Sequence, residues 1–209
     1  VEALTPLDMI QLGCGIHDST GHCVWTGAFL LIACLDLLKD FFKDRRVLEV
    51  GCGTGIGGIA VSSLASYVTF TDADPEALDL CARNCALNGL NDSSYSLKTL
   101  RWGERPSNVD FETVLATDVL YDIEFLPLML ETAVESGCIT FVLAHVPRAC
   151  YNSLNPAVDN LETYIEKKFQ DSGFHLQTVV RPTDAKPRDL PRDALNSMSL
   201  DEMEEIGAA

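Results

Sequence analysis

The sequence has no disulfide framework: its eight cysteines keep no regular spacing and form no C-x-x-C pair. Cys34, Cys52 and Cys138 stand inside apolar segments, where a thiol behaves as a small buried hydrophobe. That usage suits a reducing compartment, so a cytoplasmic protein is expected, with nuclear entry open. Positive charge is scarce as well. Acidic residues outnumber basic ones 31 to 15, the formal charge is −16, and no run of Lys or Arg exceeds two residues. A surface that tracks phosphates needs Lys and Arg to neutralise them, so nucleic acid is disfavoured as a partner. The acidity serves solubility, and it also attracts a cationic partner such as a Lys-rich protein. Long apolar runs are missing too. The longest, Val24 to Leu38, is broken by Thr26, Gly27 and Asp36, and no membrane partner is expected. No signal peptide is visible. The chain opens on Val1 rather than Met, which leaves room for a trimmed N-terminus. There is no internal repeat, and 209 residues most simply make one domain with a sizeable core.

What is present is an alternation of two kinds of apolar segment. Short β-like runs are Arg46–Val50, Tyr67–Thr71, Tyr95–Leu100, Thr113–Thr117, Cys138–Ala144 and His175–Val180. Helix-like stretches are Phe29–Phe42, Ile56–Ala65, Pro75–Leu87, Ile123–Glu135 and Pro156–Ser172. This order predicts an α/β fold: a Rossmann-like, doubly wound, mostly parallel sheet with helices on both faces. Asp74-Pro75-Glu76 is a helix start, with an acceptor at the cap, Pro at the first helical position and Glu against the dipole. Asn88-Gly89 ends the same helix. Lys186–Arg192, with two prolines, reads as a linker, and Leu200–Ile206 as a short amphipathic helix or a solvated tail.

The first strand runs into Gly51-Cys52-Gly53-Thr54-Gly55, the device by which a backbone approaches a ligand that any Cβ would block. Counted from the strand end, the dinucleotide fingerprint fails at Ile56; two residues later it fits Gly53, Gly55 and Gly58. Glu49 beside the loop would repel a pyrophosphate, whereas S-adenosylmethionine carries a sulfonium, an ammonium and a single carboxylate. The E-x-G-x-G-x-G arrangement therefore favours the latter. Asp72 ends the second strand 21 residues after Gly51, where a carboxylate can accept from both ribose hydroxyls of either ligand.

With these residues in place, the chain resembles the seven-strand class I methyltransferases, and within them the family-16 methyltransferase-like group, many of which methylate lysine in non-histone proteins. The resemblance runs from about Gly21 to Phe174. It is carried by Gly21–Ala28 with Val24-Trp25, by Val47–Gly55, Thr71-Asp72, Asn84–Asn88, Leu100-Arg101-Trp102-Gly103 and Asp118-Val119-Leu120-Tyr121. It implies S-adenosylmethionine as cofactor, bound by Trp25, Glu49, Gly51, Gly53, Gly55, Asp72, Trp102 and Thr117, with S-adenosylhomocysteine as product. Trp25 would line the methionine end and Trp102 would pack at the adenine. Asp118 and Tyr121 are the implied catalytic pair, the carboxylate holding a lysine ammonium and the phenol orienting the amine. Prolines that shape a planar-substrate slot in other N-methyltransferases are replaced here by Val119 and Leu120.

The expected organisation is an N-terminal segment, residues 1–27, over the cofactor site, a methyltransferase core over 28–185, and a loop with an acidic end over 186–209. No segment beyond Val180 reads as the seventh strand. The expected function is transfer of a methyl group to a protein side chain, most simply a lysine amine, with a basic or lysine-presenting protein as partner. Methylation of a small molecule or of protein histidine, a non-catalytic interaction module, and a nicotinamide-cofactor enzyme are the rivals. Cys14, His17, His22 and Cys23 form a C-x-x-H…H-C cluster that could hold zinc, although adjacent His and Cys chelate awkwardly; no metal is expected. His145, after the fifth strand, is either a base near the site or an ordinary loop histidine.

Overall fold

The computed structural model describes residues 20–107, 110–146 and 161–177. Its sheet has five parallel strands: β1 (Arg46–Val50), β2 (Tyr67–Asp72), β3 (Tyr95–Thr99), β4 (Thr113–Thr117) and β5 (Thr140–Ala144). They lie in the order β3-β2-β1-β4-β5. β1 pairs with β2 from Arg46 opposite Tyr67 to Val50 opposite Thr71, and with β4 from Val47 opposite Thr113 to Glu49 opposite Leu115. The chain thus winds outward from β1 to β3, then restarts at β4 on the other side of β1. That reversal opens a crevice beyond the carboxyl ends of the strands, the usual ligand position in such sheets.

Period-two alternation sorts the side chains onto two faces. Val47, Val68, Phe70, Leu115, Val142 and Ala144 face one core, with Leu31 of α1 (Thr26–Ala33), Val61 of α3 (Ile56–Val61), and Leu78, Cys81 and Cys85 of α4 (Pro75–Leu87). Leu48, Val50, Val114 and Ala116 face the other. There they meet Leu126, Met129, Leu130 and Ala133 of α5 (Leu126–Glu135), and Ile165 and Phe169 of α6 (Leu161–Asp171). The expected α/β, mostly parallel sheet is thus observed.

The strands stand where their apolar runs put them, and α4 has the predicted bounds and cap: the Asp74 side chain accepts from the Glu76 amide at 2.9 Å. The single helix expected over Phe29–Phe42 is instead α1, a break at Cys34, α2 (Leu35–Leu38) and a 3-10 turn, Lys39–Phe41. Cys34 is the break because its ψ of 4° departs from helical geometry, with its amide shared between the carbonyls of Leu30 and Leu31. The expected Ile56–Ala65 helix ends early, at Val61, and Ile123–Phe125 is a 3-10 turn leading into α5.

The sixth strand expected at His175–Val180 is not formed at 175–177, and 178–180 lie outside the described residues. Gly173, at φ 90°, turns the chain after α6 so that Phe174 packs edge-on against Phe141 and Phe169. The linker, the acidic end, Cys14 and His17 also lie outside the described residues. No helix among those described is long and apolar enough to cross a membrane.

Candidate active site

A cavity of about 1030 Å³ lies at the carboxyl ends of β1 to β4. Its floor is the glycine loop. Gly51, Gly53 and Gly55 have φ of 66°, 49° and 79°, the left-handed region that glycine alone enters freely. Each also stands where a Cβ would collide: with Trp102 and Val119 at Gly51, the Gly21 carbonyl at Gly53, and the Cys81 thiol at Gly55. The loop is fastened to its neighbours. The Cys52 amide donates to the Thr71 carbonyl at 2.8 Å, and the buried Asn84 amide group donates to the Thr54 carbonyl at 2.8 Å. Asn88 in turn donates to the Asn84 carbonyl at 2.8 Å, so the N-x-x-x-N helix end secures the loop.

Asp72 stands at the end of β2 and lines the cavity. One of its oxygens accepts from the Gly53 amide at 2.9 Å and the other from the Asp74 amide at 3.0 Å. Burial pushes its carboxyl up from the ordinary value, offset in part by these amides. A carboxylate offers about four acceptor sites, so two hydroxyls can still be received. Trp102 packs over Gly51 and meets Phe125 edge-on at 6.1 Å between ring centroids. Trp25 closes another side, its indole N–H donating to the Thr20 carbonyl at 2.9 Å. The 3-10 turn Thr20–His22 lies on the loop, with Gly21 against Gly53 and His22 3.7 Å from Asp74.

Asp118 has φ of 55°, in the left-handed region that Asp enters more readily than most residues. Its side chain is fully buried: one oxygen accepts from the Gly27 amide at 2.9 Å, and the other is 3.8 Å from His145 Nδ1. Tyr121 is exposed at the mouth together with Phe125 and Leu128.

Of the expected residues, the cavity therefore gathers Trp25, Gly51, Gly53, Asp72, Trp102, Thr117, Asp118 and Tyr121. Glu49 and Gly55 stand behind its wall. Glu49 shares the face of Val47, is fully buried under α3 and would be 2.5 Å from a Cβ at Gly57 or Gly58. Desolvation pushes its carboxyl up to about 8, opposed by the Gly58 amide. His145 does not line the cavity. His22 pairs with Asp74 and Cys23 is buried; among the described residues no group of three or more His, Cys, Asp or Glu is arranged around a metal position.

The wall carries Asp72, Asp74, Glu76 and Asp118 against Arg101 and His22. That balance fits a ligand with a sulfonium and an ammonium better than one with a pyrophosphate. A family model described as lysine methyltransferase matches residues 7–140.

The chain belongs to the lysine methyltransferase family.

EEF1A lysine methyltransferase 3 of Xenopus tropicalis is 35% identical over 111 residues, covering 52% of this chain and 49% of that protein. Protein-lysine methyltransferase METTL21E of Bos taurus is 31% identical over 155 residues, covering 69% of this chain and 53% of its own. The chain spans about half the length of the curated relatives it matches. A SAM-dependent methyltransferase from Aquifex aeolicus shares the fold, with a TM-score of 0.55, 16% identity, and coverage of 72% of this chain and 85% of that one.

Sequence reasoning missed several wall residues. Arg101 and Val119 each adjoin a singled-out aromatic or acid, and Phe125 and Leu128 are spaced i, i+3 at the lip. The alternation of β1 could have placed Glu49 inside, since it falls on the same face as Val47.

Proposed function

We propose that this chain is an S-adenosylmethionine-dependent methyltransferase acting on the side-chain amine of lysine in a protein. The observation that carries the reading is one cavity with two unlike ends. A glycine loop and a ribose-competent Asp72 form its floor; exposed Tyr121, Phe125 and Leu128 form its mouth. The family match supports the same chemistry.

When bound, S-adenosylmethionine supplies a methyl group already activated by its sulfonium. The chain's own work is then chiefly alignment. Gly51 and Gly53 let the backbone come close, Asp72 receives the ribose hydroxyls, Trp102 flanks the adenine, and Trp25 and Thr117 bound the methionine end. Tyr121 orients the acceptor amine at the mouth. That amine, with an unperturbed pKa of about 10.4, must arrive neutral. The apolar lip favours the neutral form by desolvation. The excess of acidic residues, 31 against 15 basic, with exposed Glu76 on the cavity wall, draws in a basic segment of a protein and disfavours nucleic acid. The reading includes the N-terminal segment over residues 20–27 as part of the cofactor site, supported by Thr20, Gly21, His22, Cys23 and Trp25 on the cavity wall; its residues 1–19 lie outside the described residues. It also includes a reducing, cytoplasmic setting, supported by the buried free thiols of Cys52, Cys81 and Cys85.

Calorimetric titration with S-adenosylhomocysteine, with NAD as comparison and Asp72→Ala as control, tests the cofactor. Saturable binding of the former alone, lost in the variant, is expected; binding of NAD alone would sink the reading. Tritiated-methyl transfer into a protein fraction, followed by amino-acid analysis, should then yield methyl-lysine. Methyl-histidine there, or label in small molecules only, would replace the acceptor.

A further inference from the structure

Helix α1 begins without a cap of its own. Its N-cap residue is Trp25, whose indole can donate but not accept, and no side-chain cap bond is made there. The amides of a helix's first turn still need acceptors. Gly27, the second residue of α1, finds one in Asp118, 91 residues later, at 2.9 Å. A carboxylate at this end also complements the helix dipole. The fit is close: a Cβ on Gly27 would lie 2.7 Å from the Ala144 carbonyl and 2.9 Å from Asp118 Cβ. Asp118 is itself fixed, its amide donating to the Ala144 carbonyl at 2.8 Å and its φ of 55° turning the side chain inward. His145 beside it is almost wholly buried. What the bond secures is the cavity wall: Trp25 precedes Gly27 by two residues, and its indole holds the Thr20–His22 turn that lies on Gly53.

We propose that Asp118 is a positioning residue, the remote cap of α1, which seats Trp25 and the Thr20–His22 turn against the cofactor loop and does not receive the acceptor's ammonium. This rests on the methyltransferase reading for its kinetic consequence, but its structural consequence stands without it.

The test compares Asp118→Asn, which keeps an acceptor for the Gly27 amide, with Asp118→Gly, which removes it. Both residues tolerate the left-handed φ. S-adenosylhomocysteine affinity is measured by calorimetry, and Trp25 emission in a Trp102→Phe background, since the chain has only two tryptophans. Asp118→Asn should stay within about threefold of the unsubstituted affinity, while Asp118→Gly should weaken it about tenfold, the scale of a lost cap. Trp25 emission should move to the red in Asp118→Gly alone. Unchanged affinity and emission in Asp118→Gly would overturn the proposal. So would loss of tritiated-methyl transfer by Asp118→Asn at intact affinity, because the charge would then be serving the acceptor directly. If Asp118→Gly does not fold, Asp118→Asn decides by itself, retained transfer supporting the cap and lost transfer overturning it. Absence of cofactor binding by the unsubstituted chain would sink the methyltransferase reading and leave the emission shift as the test.

Discussion

The two faces of the sheet are built from different materials. The face under α5 and α6 buries a large apolar cluster beside the neutral hydroxyls of Thr69, Thr71 and Thr132, and is closed by edge-on contacts of Phe141 with Phe169 at 5.1 Å and with Phe174 at 6.0 Å. The face under α1, α3 and α4 carries a buried acid, Glu49, four buried thiols, those of Cys34, Cys52, Cys81 and Cys85, and Gly57 and Gly58 where side chains would otherwise fill space. The thiols of Cys52, Cys81 and Cys85 are hydrogen-bonded through Cys81, and burial pushes the Cys52 thiol up to about 11, leaving it protonated at neutral pH. The difference follows from the cavity: small residues let α3 and the glycine loop approach the strands.

The division can be broken most visibly at Glu49. Its carboxyl keeps its proton to about pH 8 when folded but only to about 4.5 when unfolded. The stability it contributes is therefore fully present below about pH 4.5 and is lost as pH rises to about 8, a change on the order of 5 kcal/mol. Urea unfolding at a series of pH values should show a clearly shallower decline in Glu49→Gln; an equal slope in both would remove the buried acid from the account. On the other face, Met129→Ala should cost about 3 kcal/mol and leave S-adenosylhomocysteine affinity within about twofold. A joint loss of stability and affinity there would mean that the faces are not separate.

Gly58→Ala pushes a methyl group against the Phe70 ring and the Glu49 carboxyl. We expect about 2 kcal/mol of destabilisation by urea, accompanied by weaker cofactor binding. The smallest stability effect belongs to the lip: Leu128→Ser should fall within about 0.5 kcal/mol of the parent chain while lowering methyl incorporation into protein.

Much of this was legible beforehand, for definite reasons. The strands read clearly because parallel strands covered on both faces are short apolar runs, and α4 read clearly because Asp74, Pro75 and Asn88 mark its ends. The first helix reads as continuous because Phe29 to Cys34 is apolar on every side, so no period betrays the break at Cys34. At the site, glycines and Asp72 announce themselves by type and spacing. The partner of a carboxylate does not: nothing in Asp118-Val119-Leu120-Tyr121 points to Gly27, because the bond depends on β4 and β5 lying together.

That bond also governs when the protein becomes whole. Closing a 91-residue loop carries a large entropic cost, which other contacts must offset first. A growing chain leaves the ribosome N-terminus first, so Thr20 to Ala33 emerges long before Asp118, and Asp118 before the Ala144 carbonyl that fixes it. A segment made before any strand of the sheet thus waits for the end of β5 to be seated, and ligand binding becomes a report that synthesis has passed β5.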